Sequence, residues 1–295
     1  MGSLKALFLV SGAVIGMTGL AQAADLLPPP PPMEPAPMMS ADFSGWYLRG
    51  DVGMGIQSNN VSVSTSPNPL LGLGPGGTNN YYNSSVSSST LFDVGIGYQV
   101  NNWLRFDVTG EYRGGGHFQT FEQAFSPSSG QDFGDFYRGD VSSLIGLFNG
   151  YVDVGTWYGV TPFVGAGVGF ANNRLSGVTD TGFACPGGGA CSGVGGYLTD
   201  GSKTNLAWAL MAGLDFNVTQ NLKLELGYRF LDYGSLKSGI SHCSNGAGGF
   251  SCGGGSGYTL ATKDLMSQDV RLGLRWAFSD TPMYEPEPQP LVRKY

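Results

Sequence analysis

Long apolar runs are what this chain most lacks. Past residue 20 no stretch approaches the run of about 20 apolar residues that a membrane helix needs, and none repeats apolar residues at the helical period. Helical spans and amphipathic helix bundles are therefore not encoded there. Charge is scarce too, at 13% of residues, with 15 Lys and Arg against 22 Asp and Glu, which leaves a nucleic-acid partner unsupported. Two histidines and four widely spaced cysteines do not form a zinc pattern, and no metal or cofactor is expected.

What the chain has instead is 49 glycines, 12% aromatic residues and a two-residue alternation. Residues 222–233 place Lys223, Glu225 and Arg229 in the gaps of an apolar series, and residues 269–278 alternate Val270, Leu272, Leu274, Trp276 and Phe278 with Asp269, Arg271 and Arg275. Such strands have one apolar and one charged face. With no helices to cover the apolar faces, lipid is the partner they suit.

The same alternation appears from Trp46 to Ile56, from Phe92 to Val100, from Leu104 to Tyr112, across 161–171 and across 204–218, while residues 141–154 are apolar on both faces in their first half. The sum is an all-β, eight-stranded antiparallel up-and-down transmembrane barrel. Short turns are expected near residues 101, 157 and 220; the pair Asn101-Asn102 suits the positive φ of a tight hairpin. Between them lie long polar segments at 58–89, 114–138, 172–203 and 234–267, read as unstructured extracellular loops. Trp46, Trp103, Trp157 and Trp276 all fall at the short-turn level, the expected periplasmic aromatic girdle.

The termini complete the organisation. Lys5, an apolar stretch to Leu20 and Ala21-Gln22-Ala23 read as a signal peptide over 1–23, which implies export. Residues 24–42 form a proline-rich periplasmic tether, 43–278 the barrel and 279–295 a proline-rich tail. The expected location is the outer membrane of a Gram-negative bacterium, among outer-membrane lipid and lipopolysaccharide. Tether and tail are placed to meet peptidoglycan or another periplasmic partner.

Eight strands enclose a space that side chains can fill. Arg49, Asp51, Asp93, Arg105, Asp107, Glu111, Arg113, Asp215, Lys223, Glu225, Arg229, Arg271 and Arg275 are therefore expected to share a narrow lumen, with Gly95, Gly97, Gly165 and Gly167 leaving room for the arginines. They read either as a charged permeation path or as a salt-bridged plug, and the strand number favours the plug. Export makes the cysteines oxidisable, so the simplest pairing is one disulfide within each loop, Cys185 with Cys191 and Cys243 with Cys252, a cross-loop arrangement being the alternative. His242 beside Cys243 raises haem or metal capture by the loops, and His117 with Glu122, Asp132 and Asp135 raises catalysis at the rim. Serine and acid in polar loops are ordinary, so the chain is not read as an enzyme.

Three segments, FSGWYLRG at 43–50, TPFVGAGVG at 161–169 and VRLGLRWAF at 270–278, together resemble the RopB-type outer-membrane proteins of alphaproteobacteria. The resemblance implies a small surface-exposed barrel, grouped with porins, that supports envelope integrity and host contact and has no catalytic residues. It also implies that Phe278 is the terminal aromatic recognised by the barrel-assembly machinery, although here residues 279–295 follow it. The leading function is structural support and surface interaction; a narrow porin and loop-mediated ligand capture are the alternatives.

Overall fold

Alternating strands can satisfy their backbones in lipid only by closing on themselves, because an open edge would leave N–H and C=O groups unpaired in hydrocarbon. The computed structural model describes residues 44–57, 61–66, 75–187, 189–244 and 257–278. Cys252, the tether, the signal segment and the tail lie outside them. The strands are β1 (Gly45–Gln57), β2 (Ser62–Ser66), β3 (Thr78–Val86), β4 (Ser89–Gln99), β5 (Leu104–Ser126), β6 (Gln131–Asp153), β7 (Val160–Cys185), β8 (Ser192–Leu198), β9 (Gly201–Asn217), β10 (Leu222–Gly234), β11 (Ser241–Ser244), β12 (Thr259–Lys263) and β13 (Leu265–Ala277).

Eight of them close an antiparallel ring in the order β1, β4, β5, β6, β7, β9, β10, β13 and back to β1. Outside the ring the apolar positions stand exposed, among them Val94, Val108, Leu144, Phe148, Leu210, Leu226 and Leu272, while polar and charged residues are buried within. From Leu104 to Tyr112 the outward belt on β5 is nine residues long, the length that a tilted strand needs to cross the hydrocarbon. The two-faced register of β6 resolves with Leu144, Phe148 and Val152 outward and Ile145, Leu147 and Tyr151 inward.

The turns and upper segments differ from the expectations. Neither Asn101 nor Asn102 has positive φ. Instead the Asn101 carboxamide oxygen accepts the amides of Trp103 (3.0 Å) and Leu104 (2.8 Å), so the side chain rather than left-handed backbone closes the turn. Much of the supposed loop sequence is sheet. β5, β6 and β7 run far beyond the lipid belt, β3 pairs with the upper half of β5, and β8 pairs with the upper half of β7 and with β11. Register shifts on β5 and between β6 and β7, beside the positive-φ glycines Gly115 and Gly177, mark the change from spanning ring to raised sheet.

Inside the mouth of the ring, β12 pairs with β2 on one side, while the Thr262 amide donates to the Leu236 carbonyl on the other. These segments bring Val61, Leu236 and Leu260 against Val86, Phe118, Val141, Leu175, Val178 and Leu231, an apolar cluster sealed from water. The top of this cluster sits above the charged lumen, and the cluster continues down the ring wall through Ile145, Leu147, Met211, Tyr151 and Phe163.

Candidate functional site

The lumen holds two ion-pair clusters. In the lower one Arg49 meets Asp51 (2.8 Å), Asp107 (3.0 Å) and Glu225 (2.8 Å). Arg105 meets Asp153 (3.1 Å), Glu225 (3.3 Å) and Asp215 (3.6 Å), Arg271 joins Asp51 (3.2 Å) to Asp93 (2.7 Å), and Arg275 pairs with Asp215. Four arginines and six carboxylates are linked without a break. The upper cluster is a closed square in which Arg113 and Arg229 each contact both Glu111 and Asp269 at 2.5–2.9 Å.

Every charge expected in the lumen except Lys223 belongs to one of these clusters; Lys223 is half-buried beside Tyr47, Gln99 and Arg275 in a very small cavity near the periplasmic end. Asp153 and Asp269 were missing from that set. Asp269 shares the parity of Arg271 and Arg275, and Asp153 that of Tyr151, so alternation alone could have found both.

The inward glycines make room for tyrosine as well as for arginine. A Cβ on Gly97 would lie 2.3 Å from the Tyr47 ring, and one on Gly165 would lie 2.5 Å from Tyr151. Gly167 faces Asn149, while the vacancy at Gly95 lies beside Arg49 and that at Gly55, another inward glycine, beside Arg113. The rings then line the arginines: the Arg105 guanidinium sits 4.4 Å from the Tyr151 centroid and 4.7 Å from that of Phe163. Tyr47 donates to Asp107 and Tyr151 accepts from Arg49, so the phenols also complete the network.

Above the bulges the interior chemistry changes. Glu122 accepts from Tyr81 (3.1 Å) and Tyr137 (2.8 Å), Tyr137 touches Tyr258 (2.7 Å), and Tyr258 donates to Asp180 (3.0 Å). The three links from Glu122 to Asp180 contain two phenol protons. All three are hydrogen bonds only when one carboxyl of the pair also carries a proton. Burial pushes Asp180 up to about 6, and burial together with the charges of Asp180 and Glu122 pushes Asp135 up to about 7. Burial and the neighbouring carboxylates also raise the phenols of Tyr81, Tyr137 and Tyr258.

The structure does not assemble the rim constellation. His117 points outward, and its Nδ1 lies 2.8 Å from Asp140, whereas Glu122 and Asp135 face the interior and Asp132 is exposed near the tip of β6. His242 stacks on Tyr197 at 5.0 Å. Among the described residues no group of His, Cys, Asp and Glu could hold a metal ion. Cys185 and Cys191 are disulfide-bonded to each other, and Cys243 is also disulfide-bonded.

Trp46, Trp103, Trp157 and Trp276 all stand exposed on the outward face near the short turns. Phe278 closes the same end, its amide donating to the Trp46 carbonyl at 2.9 Å.

The chain is similar to several known proteins. An uncharacterised protein of Brucella abortus is 30% identical over 229 residues, covering 74% of this chain and 78% of its own length. A candidate adhesin of Rickettsia conorii is 29% identical, covering 68% of this chain and 73% of its own. Among solved structures, the outer membrane protein OprG of Pseudomonas aeruginosa covers 80% of this chain and 97% of its own at 12% identity and a TM-score of 0.44. The family model described as "Outer membrane protein beta-barrel domain" matches residues 13–278, and the chain belongs to that family of Gram-negative outer-membrane proteins.

Proposed function

We infer that this chain is a closed outer-membrane scaffold of the RopB type, which supports the envelope and offers its raised sheet as a surface for interaction. The observation that carries this reading is the layering of the interior: the paired charges of the ring lie beneath an apolar cluster containing Val61, Leu236 and Leu260. An ion crossing the ring would have to separate buried charge pairs and then pass an unhydrated apolar layer, each costing several kcal/mol. Likeness to a protein named as a candidate adhesin supports the outward-facing half of the reading. Phe278, the residue after β13, is the one we assign to recognition by the assembly machinery, and the proline-rich segments 24–42 and 279–295 are assigned to the periplasm. No catalytic role is assigned.

Planar-bilayer recording of the refolded protein tests the closed lumen. The expected result is silence from barrels proven folded by their heat-modifiable mobility; a steady, reproducible current would make it a narrow porin. The surface role is tested by displaying the full chain, and a chain with residues 117–138 replaced by a short turn, on cells otherwise unable to attach to host cells. Attachment is expected only with the raised sheet, and equal attachment by both would sink that role.

A further inference from the structure

On the outer wall, well above the lipid belt, β5, β6 and β7 form an open hollow of about 260 Å³. His117 and Gln119 line it from β5, Arg138, Gly139 and Asp140 from β6, and Gly177 and Thr179 from β7. The register sets Gln119 beside Arg138 and Arg138 beside Thr179, one polar row across three strands. Because β5 and β6 alternate strictly here, these side chains face away from the sealed interior.

Arg138 differs from every other described arginine. Seven of them, Arg49, Arg105, Arg113, Arg174, Arg229, Arg271 and Arg275, form ion pairs. Arg138 is exposed, and among the described residues it has no carboxylate partner, because the nearby Asp140 is engaged by His117 at 2.8 Å. The hollow therefore presents one guanidinium without an ion-pair partner, a planar donor suited to phosphate, beside a single carboxylate, Asp140, that is hydrogen-bonded to His117.

Aromatic rings lie directly above it on the same outward face. Tyr82 pairs across to Phe121, and Phe121 to Phe136 with ring centroids 4.5 Å apart. Phe183 joins them over Gly134, whose missing Cβ would lie 2.5 Å from that ring. Tyr82, Phe136 and Phe183 remain exposed. Flat rings beside hydrogen-bonding side chains suit sugar faces.

Height selects the occupant. The last large apolar residue facing lipid on β6 is Leu144, and Arg138 lies six residues farther along the strand. At about 3.3 Å per residue and a tilt of about 40°, that is roughly 15 Å above the hydrocarbon. Ordinary headgroups reach only about 5 to 8 Å beyond the hydrocarbon, whereas a glycolipid with an extended sugar head passes this level. The surface is also continuous with the lipid-facing wall, so its occupant arrives from the membrane.

We propose that the hollow of His117, Gln119, Arg138 and Thr179, with the aromatic ledge above it, binds the phosphorylated core sugars of an outer-leaflet glycolipid. Arg138 takes the phosphate and Phe136 stacks on an adjoining sugar. The site lies on the outer wall, so it is independent of whether the lumen conducts.

The test uses the full chain in detergent micelles with rough lipopolysaccharide that retains its phosphorylated inner-core sugars, and reads Kd. Parallel titrations use the same lipopolysaccharide after phosphatase treatment, lipid A alone and inorganic phosphate. Binding of the intact glycolipid is expected, at least tenfold weaker after phosphatase treatment or with lipid A alone. Arg138→Glu should weaken it at least tenfold and Phe136→Ala a few-fold, with heat-modifiable mobility unchanged. Lys263→Glu, an equal charge change at another exposed site, should leave Kd unaltered. Retained affinity in Arg138→Glu overturns the proposal, as does equal binding of lipid A alone. Inorganic phosphate competing at the same concentration as the glycolipid would reduce the hollow to an ion site and overturn it too.

Discussion

Within the ring, eight buried carboxylates meet six arginines; above the bulges, Glu122 and Asp180 accept from tyrosines, Asp135 lies near both carboxyls, and no described cation pairs with the three. Both regions bury acid, but they solve the problem differently. A spanning segment is walled by lipid, so its charges find their partners within the lumen. The raised sheet stands in water, where a carboxyl can take up a proton and a phenol can share it. The lower interior is thus held mainly by arginine–carboxylate pairs and the upper one by phenol–carboxyl hydrogen bonds, with apolar residues between β12 and the sheet excluding water nearby.

The strongest way to break the comparison is to remove fixed charge from the ring. Arg105→Met leaves Asp153 and Glu225 short of a partner, and the expected loss is about 3 to 5 kcal/mol in denaturant unfolding from lipid vesicles. The barrel's conductance should change far less than its stability. A large current with unchanged unfolding would reverse that assignment.

A smaller loss is expected above. Tyr137→Phe removes the hydroxyl between Glu122 and Tyr258, and about 1 to 3 kcal/mol of local stability should disappear. Hydrogen exchange along residues 118–137 would report it, and global unfolding should move little.

The finest distinction is in pH. Asp135 and Asp180 bind protons more tightly folded than unfolded, so their contribution to stability is full below the usual carboxylate range near 4. It is lost as pH rises through about 6 for Asp180 and about 7 for Asp135. The groups concerned are Glu122 and Tyr81 on β5 and β3, Asp135 and Tyr137 on β6, Asp180 on β7 and Tyr258 before β12. Corrected for intrinsic exchange, opening of residues 118–137 should increase at least tenfold between pH 4 and pH 8, since each pKa unit is about 1.4 kcal/mol and both groups shift upward by more than one. Asp180→Asn should flatten that response. An unchanged pH profile in the variant would show that the phenol–carboxyl chain does not set it.

How far these regions could be read from sequence follows the same division. In the ring, Arg105, Asp107, Glu111 and Arg113 alternate with large apolar residues, and period-two contrast assigns each to a face. In the raised sheet the outward positions hold His117, Gln119 and Arg138 as often as Phe121 or Phe136, so polarity no longer distinguishes the faces. Those segments consequently read as loops. Once they are strands, the odd separation of His117 from Glu122, with the bulge lying below both, puts the two on opposite faces and dissolves the supposed rim site.

The sequence by itself determined the eight spanning strands, their outward apolar belt and the charged character of the interior, because side-chain direction along a strand depends only on the parity of position. It could not decide which arginine meets which carboxylate, that Tyr47 and Tyr151 would occupy the space above Gly97 and Gly165, or that β12 and β2 would fold into the mouth. Those outcomes depend on ring closure and strand stagger, which bring residues such as Arg49 and Glu225 within 2.8 Å across 176 positions of chain. Pairing at that range is a property of the closed barrel.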